Sequence, residues 1–180
     1  MKTIGWTFIL LAGLTLTACS PRLTPFTQQL VEENGWTDAE LKKIQFYLSH
    51  DVVMRRQLVE GNSTIRGGEI KIVNGKQVEE IIIPSGTPGV LLFQPKSQRF
   101  AVGFEEDSDT RYLMFGPNSK AGDKYVLLAA EWQKRQGKVT YEGEAYWVDG
   151  TNAIASLMVD LKRISKTNVK SRTAGGRTID

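Results

Sequence analysis

The 180-residue sequence contains one cysteine and one histidine. A single cysteine excludes a disulfide framework and a four-thiolate zinc site. A single histidine excludes a multi-histidine metal centre. The sequence also lacks a G-x-S-x-G elbow, a P-loop and a dinucleotide fingerprint, so no cofactor is expected. Beyond Leu16 no stretch is apolar for long enough to span a bilayer. Charge of one sign is not in excess either: 23 basic against 20 acidic side chains give a net +3. With 41% hydrophobic and 9% aromatic residues, what remains is the composition of an ordinary globular domain with one core. The length is short for an enzyme with separate cofactor and substrate lobes.

The N-terminus opens with Met1-Lys2-Thr3, continues as an apolar run from Ile4 to Leu16, and reaches Thr17-Ala18-Cys19-Ser20-Pro21. A basic start followed by a short apolar run is the pattern of a secretory signal. The tetrapeptide Leu16-Thr17-Ala18-Cys19 resembles the lipobox of bacterial lipoproteins. That resemblance covers only this segment, and it implies cleavage of residues 1–18 and acylation of the Cys19 sulfur and its new amine. Three acyl chains, at about 0.8 kcal/mol per buried methylene, anchor far more firmly than one. Ser20, rather than aspartate, after the cysteine implies the outer membrane over the inner one. With Cys19 acylated, no thiol is left for redox chemistry.

Residues 19–23 then form a short tether, and residues 24–164 a single globular domain. Thr24-Pro25 reads as an N-cap and first helical residue, with Asn34-Gly35 closing a helix over 25–33. Thr37-Asp38-Ala39-Glu40 fits a capping box, and Leu41, Ile44 and Leu48 share a helical stripe, which predicts a second helix over 38–49. From Asp51 onward the period changes to two. Asn74-Gly75 between Glu69–Val73 and Lys76–Ile83 is a strong hairpin signal. Lys124–Trp132 and Lys138–Val148 read as long strands, the latter bent at Gly143, and Ala153, Ala155, Leu157, Val159 and Leu161 make one apolar face. The expected fold is mainly all-β, an antiparallel meander of about eight to nine strands forming a barrel or closed sandwich, preceded by two short helices. The tail 165–180, with Lys166, Lys170, Arg172 and Arg177, is expected to be flexible and basic.

Several residue groups are candidates for chemistry. Glu142 and Glu144, two strand steps apart, would sit about 7 Å from each other on one side of a strand. That lies within the roughly 5–9.5 Å range of glycosidase carboxylate pairs. The acidic run Glu105-Glu106-Asp107-Ser108-Asp109 lacks the glycine turn and distal glutamate of an EF-hand and reads as a solvated hairpin tip. His50, the one imidazole in the sequence, stands at the junction of the second helix and the first strand and reads as a polar cap. Tyr141, Trp147 and Trp132 are the candidate lining of a ligand cavity, with Trp36, Tyr125 and Tyr146 as further aromatics, although rings in alternating strands are usually core. Phe46 and Tyr47, on the predicted second helix, could face a partner or the sheet. Residues 133–180 hold 9 basic and 5 acidic side chains, and Lys134, Arg135 and Lys138 are the candidate contact for an anionic partner. No stacking aromatics are interleaved with the basic tail, and the secretory signal places the chain outside the cytoplasm, so no nucleic acid is expected.

Together these features lead to the expectation of a non-catalytic cell-envelope lipoprotein that binds or assembles with another envelope protein or component. A carrier or sensor of a small apolar ligand in a β-barrel, and a carboxylate hydrolase of envelope glycans, are the alternatives. No catalytic residue and no metal ligand is assigned.

Overall fold

The computed structural model describes residues 22–59, 65, 67–106, 108–150 and 154–167. The predicted signal peptide, Cys19 and most of the basic tail lie outside the described residues. The chain begins with β1 (Thr24–Pro25), α1 (Gln28–Asn34) and α2 (Asp38–Leu41), followed by β2 (Gln45–Leu48) and β3 (Val52–Gln57). Then come β4 (Glu69–Val73), β5 (Lys76–Ile83), β6 (Pro88–Lys96), β7 (Arg99–Gly103) and β8 (Tyr112–Asn118). A 3-10 turn leads to β9 (Lys124–Leu127), β10 (Glu131–Gln133), β11 (Gln136–Tyr141), β12 (Glu144–Asp149), β13 (Leu157–Val159) and α3 (Leu161–Thr167). The described chain is thus mostly β.

Two antiparallel sheets share these strands. One has seven strands in the order β1-β13-β2-β6-β7-β8-β9, the other six in the order β10-β11-β12-β3-β5-β4. They pack in a sandwich-like arrangement about one hydrophobic cluster, to which both contribute. The seven-stranded sheet curls until its ends approach. Isolated bridges join Thr27 to Lys124 and Val126 to Ser156, and Leu127 N donates to Ala155 O at 2.8 Å. These are single bridges rather than a ladder. The chain changes sheet at the bends 49–51 and 84–87, which are stitched together: Ser85 N donates to Asp51 Oδ1 at 2.7 Å and Gly86 N to Leu48 O at 2.7 Å.

Both N-terminal helices form, with changed limits. Thr24-Pro25 pairs as a strand with Val159 and Met158, and Thr27 is the cap, its hydroxyl accepting from Leu30 N. Gly35, at φ +59°, ends α1 in the left-handed conformation that glycine tolerates. The Thr37–Glu40 capping box is present in both directions, but α2 stops at Leu41. The expected helix over 38–49 is therefore corrected: residues 45–48 are a strand with β13 on one side and β6 on the other. Phe46 and Leu48 alternate as buried positions with half-buried Gln45 and Tyr47. An inward spacing of two in a short apolar segment fits a strand as well as a helical stripe, and two flanking ladders decide for the strand.

Two long strands also divide. Lys124–Trp132 contains a change of sheet between β9 and β10, so it is not one central strand. Lys138–Val148 is a hairpin, because Glu142 (φ +49°) and Gly143 (φ +78°) form a two-residue turn. At the C-terminal side Ala155, Leu157 and Val159 are buried as expected, whereas Leu161 opens α3. No helix among the described residues is long and apolar enough to cross a membrane.

The centre of the core is aromatic. Phe26 is fully buried, with ring centroids 5.1 Å from Phe46, 5.7 Å from Phe100 and 4.9 Å from Tyr125. Its main chain is fixed on both sides, donating to Leu157 O and accepting from Tyr125 N. Replacing Phe26 by alanine should cost about 3–5 kcal/mol, the usual loss for a buried phenylalanine. Phe93→Ala, at a partly exposed site, should cost about 1 kcal/mol or less. Urea unfolding of the two variants checks the difference.

Candidate functional site

The residues singled out by sequence separate in space. Tyr141 and Trp147 do not share a side. The two-residue turn makes Tyr141 face Glu144 and Val139 face Tyr146 across β11 and β12, while Trp147 pairs with Lys138. Counting alternate residues straight through positions 142 and 143 inverts the face. Tyr141, Tyr146 and Val148 therefore point inward and are buried, and Trp147 lies on the outer face, half-buried. Trp132 is 52% exposed. It lies over Gly137, where an added Cβ would come within 3.0 Å of its ring. The three aromatics thus belong to three environments rather than to one cavity.

The same turn separates the two carboxylates. Glu142 is a turn residue whose carboxylate accepts from Arg111 Nε at 3.2 Å. Glu144 stands opposite Tyr141 and pairs with Arg56 at 2.9 Å. They do not share one strand side, and each meets a different arginine.

The acidic segment is partly structural. Glu105 accepts from Arg111 Nη1 at 2.6 Å and from the Tyr141 hydroxyl. Arg111 therefore bridges the β7–β8 connection in one sheet to the β11–β12 turn in the other. Glu105 and Glu106 also border an open groove of about 750 Å³ between the ends of β2, β6 and β7, whose other walls include Gln45, Gly89 and Leu92. Asp107 lies outside the described residues. His50 is exposed at the β2–β3 bend, its Nδ1 2.8 Å from Ser49 Oγ. Among the described residues no group of three histidine, cysteine, aspartate or glutamate side chains is placed to hold a metal ion.

Of the basic candidates, Lys134 and Arg135 form the exposed β10–β11 turn and border a shallow groove of about 510 Å³ with Asp149 and Gly150. Lys138 reaches back toward Glu131, with 4.0 Å between charged atoms.

That contact belongs to a larger feature that sequence reading missed. On the outer face of the six-stranded sheet, Glu131, Lys138, Trp147, Arg55, Glu80 and Glu69 stand in one cross-strand row. Arg55 Nε donates to Glu80 Oε2 at 2.6 Å and its Nη1 to Asp149 at 3.3 Å. Lys71 also bonds the Glu80 carboxylate. On the inner face of the same strands Glu79, fully buried, accepts from Arg56 at 2.5 Å, from the Tyr146 hydroxyl at 3.1 Å and from Gly68 N at 3.2 Å. The signal was the pair of dipeptides Arg55-Arg56 and Glu79-Glu80. On neighbouring strands Arg55 meets Glu80 on the outer face and Arg56 meets Glu79 on the inner one.

Electrostatics follow from these bonds. The hydrogen bond from Lys71, reinforced by Arg55 against the cost of burial, holds the Glu80 carboxyl below its ordinary value of 4.5. Burial, and then the bond to Glu105, pushes the Tyr141 phenol far above its ordinary range. Burial likewise raises Tyr125 and Tyr146 from 10.0 to about 12.

No family model, curated protein or solved structure matches the chain.

Two pH predictions result. A carboxyl depressed in the folded state stabilises fully above its unfolded value and loses that contribution as pH falls through the folded one. Glu80→Gln should therefore flatten the decline of stability below pH 4.5, seen in urea midpoints taken across the acid range. Phenols raised in the folded state act in the opposite direction. Stability should fall as pH rises from 10.0 toward 12, where Tyr125 and Tyr146 ionise. Ultraviolet phenolate titration should show these two rings ionising well above 10.0, or together with unfolding.

Proposed function

We propose that this chain is a lipid-anchored, non-catalytic binding or assembly module of the bacterial cell envelope, attached through Cys19 and directed to the outer membrane. One observation carries the reading: Leu16-Thr17-Ala18-Cys19 follows a basic start and an apolar run, and the only cysteine stands at the acylation position. The first strand begins at Thr24, so a short tether would hold the sheets close to the lipid surface. Surface recognition is favoured over an enclosed ligand because Tyr141, Trp147 and Trp132 occupy separate environments. It is favoured over glycan hydrolysis because Glu142 and Glu144 are held by different arginines. The bridges joining β9 to the opposite end of its sheet support a barrel as the finer description of that sheet. The partner in this reading is another envelope protein or component.

Growth with labelled palmitate tests the anchor. The parent should carry label and sediment with membranes, and Cys19→Ser should lose the label and move to the soluble fraction. Retention of both properties by Cys19→Ser would overturn the reading. Crosslinking in native membranes would then identify the neighbours of the parent chain.

A further inference from the structure

Among the described residues the β4 strand is an edge of the six-stranded sheet, bonded only to β5, and every one of its residues is exposed. Edge strands normally blunt this hazard with bulges, prolines or cover. Here Ile70 and Ile72 are 51% and 77% exposed on a five-residue strand that pairs with β5 without a bulge. The backbone alternation is settled by β3. Leu58 N donates to Gln77 O, so Gln77 turns its bonding groups toward β3, and its partner Ile72 is left facing outward. Lys71 and Glu69, opposite Val78 and Glu80, exchange bonds with β5, whereas Ile70 and Ile72 present theirs to the open edge.

We propose that β4 pairs antiparallel with β4 of a second copy of this chain, about a two-fold axis through Ile70. An added antiparallel strand must place outward-facing residues opposite one another, which leaves few registers. Pairing Ile70 with Ile72 of the second copy sets Lys71 against Lys71, a like-charge clash. Pairing Ile72 with Ile72 leaves Lys71 against Val73 and Glu69 against Gly75. Pairing Ile70 with Ile70 sets Glu69 of each copy opposite Lys71 of the other, twice by symmetry, at the closely spaced non-hydrogen-bonded positions. Glu69 is 83% exposed at its side chain and has only a 3.8 Å approach to Lys71 of its own strand, so it is available for this pair. Ile72 then faces Gly68, which has no side chain to obstruct it. The isoleucines of both copies form one apolar row, and the six-stranded sheets join into one of twelve. The pairing does not depend on the anchor.

Sedimentation of the full chain in density-matched mild detergent tests the proposal. The parent should have the mass of two chains. Glu69→Lys should weaken association by about tenfold or more, since it replaces two attractive pairs with repulsive ones. Ile70→Pro should also give single chains, because it removes only an outward amide and edge strands tolerate proline there. Circular dichroism should confirm that these variants remain folded, and also Lys71→Glu, which gives up the bond from Lys71 to Glu80. Glu69→Lys mixed with Lys71→Glu should recover a dimer, because each opposed pair regains opposite charges. A merely structural effect of either substitution would not be repaired by mixing. A parent that stays single at all concentrations, a dimer that survives Ile70→Pro, or a mixture that fails to associate overturns the proposal.

Discussion

Phe26 ties the start of the described chain to the interior of the curled seven-stranded sheet. Its ring is surrounded by Trp36 from the segment between the helices and by Phe46, Phe100 and Tyr125 from three strands of the curled sheet. Its backbone bonds span β13 and β9, the places where the two ends of that sheet approach. Contact between aromatic rings adds to the area they remove from water, so one side chain near the N-terminus supports both the curl and the seat of α1. In the reading we propose, an anchor at Cys19, seven residues before Phe26, would act on this part of the domain.

Charge takes a different role in the two faces of the six-stranded sheet. On the inner side Glu79 is enclosed, and its cost of burial is offset by Arg56, Tyr146 and Gly68. Loss of one partner would leave a buried charge uncompensated, so the group acts as a constraint on strand register more than as a source of net stability. On the outer side Arg55, Lys71 and Asp149 are partly solvated, and each pair contributes little by itself. The Arg111 bridge has a third role. It joins a loop of one sheet to a turn of the other through Glu105 and Glu142, which holds the β7–β8 connection against the β11–β12 turn.

Local signals were legible where the physics is local. The Thr37–Glu40 box depends on four consecutive residues, and Asn74-Gly75 (φ +51° and +74°) on two that tolerate positive φ. Both could be read without any knowledge of neighbours. Residues 45–48 could not, because an apolar tetrapeptide takes its conformation from the ladders flanking it. The aromatic faces were misassigned for a narrower reason. A turn at Glu142-Gly143 rather than a bend reverses which residues look inward, and every inference about Tyr141, Trp147 and the two glutamates changes with it. The Arg55-Arg56 and Glu79-Glu80 dipeptides were visible, but nothing in the chain told that they would be opposite.

By itself the sequence determined the mainly β character, the Thr37–Glu40 capping box that starts α2, the tight hairpin at Asn74-Gly75 and the lack of the motifs that most catalysis requires, since these depend on period, turn chemistry and composition. Which strands neighbour one another, which face each ring takes, and which carboxylate meets which arginine were decided only in the tertiary structure. Those choices turn on contacts between residues up to about a hundred positions apart, such as Arg55 with Asp149, whose energies exist only once the sheets have formed.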